Sequence, residues 1–253
     1  MVLRALRRGG QMIHCIILAQ GSQQRLGPTM QDHPKQLIPL PACDWTPIIT
    51  RTIRLASELA DEVVVVCGDA VLAGIHGVSF SHIKLVDPGN SSLKGVDRVL
   101  QIERNPPVAV RRTMPDVQVV LLGDVVYSDR CLQAIFAVSD MDARPDFRFV
   151  GTSNLSASEG EIWGVSWRRE LEPAMRTALD MALAKHPPFE TYQPGQLRRW
   201  MFTFGGVDEL TETGQYRAID DYTMDVDLPE HIPLVAKAAI AARADDLEHG
   251  VIW

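Results

Sequence analysis

The residues best suited to phosphate chemistry lie in a polar loop that follows an apolar run. The apolar run covers residues 13–19, and the loop after it contains Gly21, Arg25 and, further on, Lys35. Glycine lets backbone N–H groups approach phosphate oxygens, and Arg and Lys side chains offset phosphate charge. This pattern predicts a polyphosphate cradle with Lys35 on an exposed loop. An ordinary strand and turn with solvated basic residues is the alternative.

A carboxylate follows a second apolar run. Residues 117–122 are rich in aliphatic side chains, and Gly123 and Asp124 come directly after them. Because Mg²⁺ prefers hard oxygen ligands and commonly takes one or two carboxylates plus phosphate oxygens, Asp124 is the strongest metal candidate. An aspartate after a strand also often caps the next helix, but Asp129 is better placed to cap a helix beginning near Arg130.

Two more carboxylates stand near the end of the sequence. Asp225 and Asp227 precede Pro229, which fits the first position of a helix extending to about Asp245. Strand alternation would place both carboxylates on one face, so Asp225 is a near alternative to Asp227 for any role of this segment. Paired carboxylates are also good helix caps, and this interpretation stays open.

The order of these stretches resembles the signature of the nucleotidyltransferase superfamily, which includes sugar-phosphate nucleotidylyltransferases, cytidylyltransferases and molybdenum-cofactor nucleotidylyltransferases. That signature is a strand, L-A-A-G-x-G-x-R, then P-K-Q-L, and late in the chain I-D-T-P-E-D-L. The corresponding runs here are LAQGSQQR at 18–25, PKQL at 34–37 and VDLPEHI at 226–232. Gln20 and Gln23 depart from the signature, and the loss of glycine at 23 removes φ freedom from the loop.

The resemblance implies three sets of site residues. The nucleotide-binding set is Leu18, Ala19, Gln20, Gly21, Asn90 and Ser92. The catalytic cations are Arg25 and Lys35, and the magnesium ligands are Asp124 and Asp227. For the 87–92 turn, simple capping of the next helix by Ser91 or Ser92 is an equal alternative.

The resemblance also implies a reaction. An acceptor phosphate oxygen would attack the α-phosphorus of a nucleoside triphosphate, with Mg²⁺ as cofactor and pyrophosphate as leaving group. The acceptor would be a phosphorylated small molecule such as a sugar phosphate, and the 89–92 turn favours CTP. A nucleotide-sugar-dependent glycosyltransferase is one alternative, because Asp225-Val226-Asp227 matches its D-x-D metal motif. A catalytically silent nucleotide-binding relative is the other, because of Gln20 and Gln23.

The spacing of apolar runs and capping residues predicts a βαβ unit around the first loop. The strand at 13–19 is followed by Thr46 and Pro47, which fit the N-cap and first position of a helix through Ala60. A second apolar strand is predicted at 62–67. A βαβ unit implies parallel pairing, and in parallel sheets ligands bind outside the carboxyl ends of strands.

The second half of the sequence has a weaker pattern. Strands are predicted at 147–152 and 161–167 and a helix from Arg169 to about Lys185, whereas 196–204 is ambiguous. In the superfamily this half builds the acceptor pocket. Residues of suitable type there are Asn154, Ser156, Glu161, Trp163 and Arg199. Tryptophan, however, is more often a core or interface residue than a platform for a ligand.

At 253 residues and 46% hydrophobic composition, the chain can bury one large core. With further strands at 83–86 and 117–122, the prediction is a single doubly wound, Rossmann-like α/β domain. The resemblance to the nucleotidyltransferase superfamily implies a mixed sheet of the glycosyltransferase-A type. Residues 1–140 would form the nucleotide-binding half and residues 141–253 the acceptor-binding half.

Composition excludes several classes of partner. A net charge of −7 argues against a nucleic-acid or membrane-binding surface. The apolar run after the arginine-containing start is too short for a signal peptide, so a cytoplasmic location is predicted. The four cysteines lack C-x-x-C spacing, which favours buried, reduced thiols over a zinc site or disulfides.

Overall fold

The computed structural model describes residues 10–19, 33–75, 83–86, 96–97, 99–100, 115–137, 146–155, 160–184, 196–225 and 231–248. The strands in these ranges are β1 (Ile13–Ala19), β2 (Pro39–Leu40), β3 (Thr46–Pro47), β4 (Glu62–Cys67), β5 (Ile83–Val86), β6 (Val117–Leu122), β7 (Val125–Val126), β8 (Phe147–Gly151), β9 (Ile162–Arg168), β10 (Tyr216–Ala218) and β11 (Met224–Asp225).

The described helices are α1 (Ile48–Leu59), α2 (Asp69–Gly74), α3 (Asp129–Phe136), α4 (Glu172–Ala184), α5 (Gln196–Met201), α6 (Val207–Glu212) and α7 (His231–Glu248). Short 3₁₀ turns occur at Lys35–Leu37, Pro41–Cys43 and Arg169–Leu171. No described helix is long and apolar enough to cross a lipid bilayer.

Seven strands form one mixed sheet in the order β10-β8-β9-β6-β1-β4-β5. β1 pairs in parallel with β4 and β6, and β4 pairs in parallel with β5. β9 runs antiparallel to its neighbours β6 and β8, and β10 is parallel to β8. This arrangement confirms the predicted Rossmann-like mixed sheet.

Both faces of β1 are apolar, and helices cover both faces of the sheet. Cys15 and Ile17 of β1 join the layer that contains α1 and α3, whereas Ile16 and Leu18 join the layer of α4 and α5. A strand buried on both faces is a continuous apolar run, which makes it recognisable in the sequence. The sheet is therefore doubly wound, as predicted.

A third apolar cluster fastens α7 to the segment between the 3₁₀ turn at 35–37 and α1. Cys43 packs among the small residues Ala239 and Ala242, and its thiol contacts the carbonyl of Ala239 at 3.7 Å. Arg243 pairs with Asp44 at 3.5 Å on the same contact. Small side chains let the helix approach the loop closely, so α7 supports the segment that leads from Lys35 to α1.

The predicted start of α1 is wrong by one residue. Thr46 and Pro47 form β3, which pairs antiparallel with β2, and Pro47 takes the N-cap position without a side-chain cap bond. A proline φ of −59° is compatible with both a strand end and a helix entry, so the local sequence does not decide between them. All four cysteines are buried and free, as predicted.

Candidate functional site

Asp124 lies in a tight turn between β6 and β7, at the carboxyl edge of the sheet. Leu18 and Leu122 are in register, so β1 and β6 end at the same level, and the Gly123 N–H donates to the Leu18 carbonyl at 2.8 Å. A Cβ on Gly123 would lie 2.8 Å from Cβ of Ala19 and 2.9 Å from Cδ1 of Ile49. Glycine therefore permits a close approach that holds Asp124 beside the end of β1.

The phenol of Tyr127 closes this turn. Its oxygen accepts a hydrogen bond from the Leu122 N–H at 2.8 Å and donates to the Trp163 carbonyl at 2.7 Å. Burial raises the pKa of the Tyr127 phenol well above its usual value, so the group remains a donor at neutral pH. The buried guanidinium of Arg51, from α1, donates to the Tyr127 carbonyl at 2.9 Å. The turn is thus braced from β9 and from α1.

Lys35 reaches this turn from a different part of the chain. Its Nζ forms an ion pair with Oδ2 of Asp124, and the two side chains are only 10% and 13% exposed. The prediction of an exposed loop lysine is therefore wrong. Lys35 opens a 3₁₀ turn fixed by the Leu37 N–H, which donates to the Pro34 carbonyl at 2.8 Å. The enclosed pair is screened less by solvent than a surface pair would be.

Asp225 approaches the same edge through β11. Asp225 pairs in register with Val125, and Met224 with Val126, in an antiparallel ladder. Going from Met224 to Asp225, the chain therefore runs toward the turn that carries Asp124. Asp225 is half-buried in this strand.

A polar clamp, made of Ser128, Asp221 and Thr223, ties the segment before β11 to the start of α3. Ser128 Oγ donates to Asp221 Oδ2 at 2.6 Å, and the Thr223 N–H donates to Asp221 Oδ1 at 2.7 Å. The Ser128 N–H donates in turn to Thr223 Oγ1 at 3.0 Å. The clamp fixes where β11 meets β7.

Ser128 also caps α3, since its hydroxyl accepts from the Cys131 N–H at 2.9 Å. The prediction that Asp129 caps this helix is wrong; Asp129 occupies the first helical position. The sequence does contain signals for this clamp. Serine before a helix is a strong cap, and an aspartate bonded to the backbone N–H two residues later, as Asp221 is to Thr223, is a common local turn.

Most of the remaining predicted site residues lie outside the described ranges. Leu18 and Ala19 end β1 with buried side chains. The other predicted residues lie outside the part of the chain that the structure describes: Gln20, Gly21, Arg25, Asn90, Ser92 and Asp227.

The suggested acceptor-pocket residues do not form one group. Trp163 is a core residue, 4% exposed, in the layer of α1 and α3, the position more usual for tryptophan than a ligand platform. Arg199 belongs to α5, which packs on the opposite face of the sheet, and burial lowers the pKa of its guanidinium. Asn154 is exposed in the turn after β8, Glu161 precedes β9, and Ser156 lies outside the described residues.

The donor chemistry at Asp124 fits a magnesium ion completed by substrate oxygens. Its carboxylate is a hard oxygen ligand at the ligand-binding edge of the sheet, and Mg²⁺ commonly keeps only one or two protein carboxylates. Within the described ranges, no three His, Cys, Asp or Glu side chains lie together as a self-sufficient metal cluster. Asp124 would be one ligand, and β11 brings Asp225 toward the turn that carries Asp124.

The strand order, the antiparallel β9 and the two helical layers form a fold that the chain shares with solved nucleotidyltransferases of the nucleotide-diphospho-sugar-transferase type. No family model matches the chain, and no curated protein matches it in sequence. The chain is similar to solved structures instead. Their sequence identities to it are low, so the similarity shows a shared fold alone.

Three solved nucleotidyltransferases illustrate the likeness. The 2-C-methyl-D-erythritol 4-phosphate cytidylyltransferase of Francisella tularensis has a TM-score of 0.57 at 10% identity, over 90% of this chain and 99% of that chain. A putative glucose-1-phosphate thymidylyltransferase from Bacillus anthracis has a TM-score of 0.55 at 15% identity, over 90% and 95% of the two chains. The 4-diphosphocytidyl-2C-methyl-D-erythritol synthase of Anaerococcus prevotii has a TM-score of 0.52 at 12% identity, over 93% and 98%.

Proposed function

We propose that the protein is a Mg²⁺-dependent nucleotidyltransferase that transfers a nucleotidyl group to a phosphorylated small molecule and releases pyrophosphate. The observation that carries this proposal is the ion pair between Lys35 and Asp124. It brings a cation suited to phosphate oxygens and a carboxylate suited to a metal to one point, beside the end of β1. The shared fold with cytidylyl- and thymidylyltransferases supports the class.

In this proposal an oxygen of the acceptor phosphate forms a bond to the α-phosphorus of the triphosphate. The bond from that phosphorus to the bridging oxygen breaks, and pyrophosphate leaves with the electron pair. No protein nucleophile is needed, so the chain contributes positioning and charge. Lys35 and Arg25 hold the triphosphate and offset the charge that grows on the leaving group.

Asp124 and a carboxylate of the late segment hold the cation in this scheme. A bound Mg²⁺ would supply Lewis-acid polarisation of the phosphate and a template for the two substrates. Asp227 is the proposed second ligand, with Asp225 as the near alternative. The antiparallel pairing of Asp225 with Val125 supports this, because the chain leaves β11 toward the Asp124 turn.

We assign nucleotide binding to the 1–140 half, through residues 18–21 with Asn90 and Ser92, and acceptor binding to the 141–253 half. The two halves are proposed to be one domain. The continuous sheet supports this, because β6 of the first half pairs directly with β9 of the second.

A pyrophosphate-release assay tests the proposal. Each of the four nucleoside triphosphates is mixed with Mg²⁺ and a panel of sugar 1-phosphates and polyol phosphates, beginning with CTP. We expect release that requires both the acceptor and the metal and that is lost in Asp124→Asn. Glycosyl transfer from a nucleotide sugar, without pyrophosphate, would instead identify a glycosyltransferase. Triphosphate binding without turnover on any acceptor would identify a silent relative.

A further inference from the structure

The Lys35 ammonium occupies one oxygen of the carboxylate proposed to bind the metal. Both side chains are largely enclosed, and both stems begin in backbone turns held by hydrogen bonds. Lys35 stands at the head of the 3₁₀ turn 35–37, and Asp124 in the turn closed by Tyr127. The pair is therefore a built contact between two fixed segments.

A divalent cation arriving alone meets an electrostatic obstacle at this contact. To bind Oδ2 of Asp124 it must displace the ammonium or lie directly beside it. Two like charges a few ångströms apart repel, and the enclosure of the pair limits screening by water. The free cation also brings no anion that would accept the displaced ammonium.

A polyphosphate changes this balance. Its oxygens offer Lys35 a new anionic partner, and they also supply the remaining oxygen ligands that Mg²⁺ requires. When Lys35 turns to phosphate, the Asp124 carboxylate becomes available to the cation. Binding of the two is then coupled, and the coupling is reciprocal: each raises the affinity for the other by the same factor.

We propose that the Lys35–Asp124 ion pair is a latch that makes metal binding at Asp124 conditional on a polyphosphate anion. This inference rests on the proposed function, since it takes Asp124 as a metal ligand and Lys35 as a phosphate ligand. It adds an order of binding: the cation and the polyphosphate enter the site together, because the site binds the free cation only weakly.

Equilibrium dialysis with Mn²⁺ and inorganic tripolyphosphate tests the latch without any turnover. The quantity measured is the excess Mn²⁺ on the protein side. Wild-type protein should hold excess Mn²⁺ only when tripolyphosphate is present. Lys35→Met, which keeps the apolar stem and removes the charge, should bind Mn²⁺ alone about 10-fold more tightly than wild type. Lys35→Arg, which keeps the charge, should bind Mn²⁺ alone no more tightly than wild type.

A matched control separates the latch from overall charge. Arg176 pairs with Asp97 at 3.3 Å, with side chains 16% and 23% exposed, and it belongs to α4 on the other face of the sheet. Arg176→Met changes the net charge equally and should leave Mn²⁺ binding unchanged. The double variant Lys35→Met, Asp124→Asn should lose the site that Lys35→Met gains.

The latch would be overturned if wild type held Mn²⁺ equally with and without tripolyphosphate. It would also be overturned if Lys35→Met bound Mn²⁺ no more tightly than wild type. An equal gain in Mn²⁺ affinity in Arg176→Met would overturn it as well. Circular dichroism checks that each variant is folded, and Lys35→Gln serves if Lys35→Met is not. The pyrophosphate assay is independent. Turnover without the Lys35→Met gain rejects the latch alone, whereas the gain without turnover rejects the proposed reaction alone.

Discussion

The hydroxyl of Ser128 donates to the carboxylate of Asp221 over 2.6 Å, joining the start of α3 to the segment that precedes β11. The contact links residues far apart in the sequence, and Asp221 uses its other oxygen to hold Thr223. Asp221 therefore positions the segment that leads into β11.

Asp221→Ala should raise the Mg²⁺ concentration needed for half-maximal turnover, because the segment before β11 would lose one of its attachments to α3. The loss of stability should be about 1–3 kcal/mol, since two hydrogen bonds to the carboxylate are removed at a partly buried place. Asp220→Ala is the matched control, since Asp220 accepts instead from the exposed Ser153 N–H at 3.1 Å. A Mg²⁺ titration of turnover and a thermal melt of both variants make the comparison. Equal Mg²⁺ requirements in the two variants would reject a positioning role.

Lys35→Met should lower turnover by roughly 100-fold, because the triphosphate loses a charge that offsets the developing pyrophosphate. Since Lys35 is enclosed and paired, the variant should also lose about 1–3 kcal/mol of stability, from leaving the Asp124 carboxylate without its cation. Steady-state kinetics and denaturant unfolding measure the two effects. Lys35→Met with near-normal turnover would contradict the assignment, and the double variant with Asp124→Asn should recover part of the lost stability.

Asp124→Asn and Asp227→Asn should each reduce Mg²⁺-dependent turnover severely, and the double variant should cost little beyond the worse single one. Residues that serve one ion act as a unit, so their effects are not additive. If Asp227 only caps α7, Asp227→Asn would be almost neutral, because asparagine caps nearly as well as aspartate. Turnover against Mg²⁺ for the three variants distinguishes these outcomes, and a silent Asp227→Asn would direct the same test to Asp225.

Gly123→Ala should reduce both stability and turnover. The added Cβ would lie within 3.0 Å of Ala19 and Ile49, so the Asp124 turn must move away from β1, at about 1–3 kcal/mol. Gly68→Ala is the control, because a Cβ there meets nothing within 4 Å. Thermal unfolding and kinetics of the two variants check this. If Gly123→Ala turned over substrate as fast as Gly68→Ala, the position of the Asp124 turn would not matter for activity.

The features predicted correctly from the sequence are those that depend on short runs of residues. β1 and β6 are unbroken apolar runs because both of their faces are buried, and that pattern is local. The tight turn at Gly123 and Asp124 follows directly from the end of such a run. The mixed sheet of the resembled family also appears in the structure.

The incorrect predictions concern residues whose partners are not indicated by the local pattern. Thr46 has the local features of a helix cap, but it pairs with Leu40 in the short β2–β3 ladder instead. Lys35 belongs to a polar stretch typical of exposed loops, and its partner, Asp124, comes much later in the chain. Burial of such groups depends on the assembled sheet, which residue spacing alone does not define.

The central position of β6 has a consequence for how the chain is made. One edge of β6 pairs with β1, which is synthesised earlier, but the other edge pairs with β9, which is synthesised later. Until β9 emerges from the ribosome, β6 presents an unpaired aliphatic edge, and such edges recruit other chains. Pairing with β9 (Ile162–Arg168) therefore also covers this edge in the nascent protein, once β9 has left the ribosome.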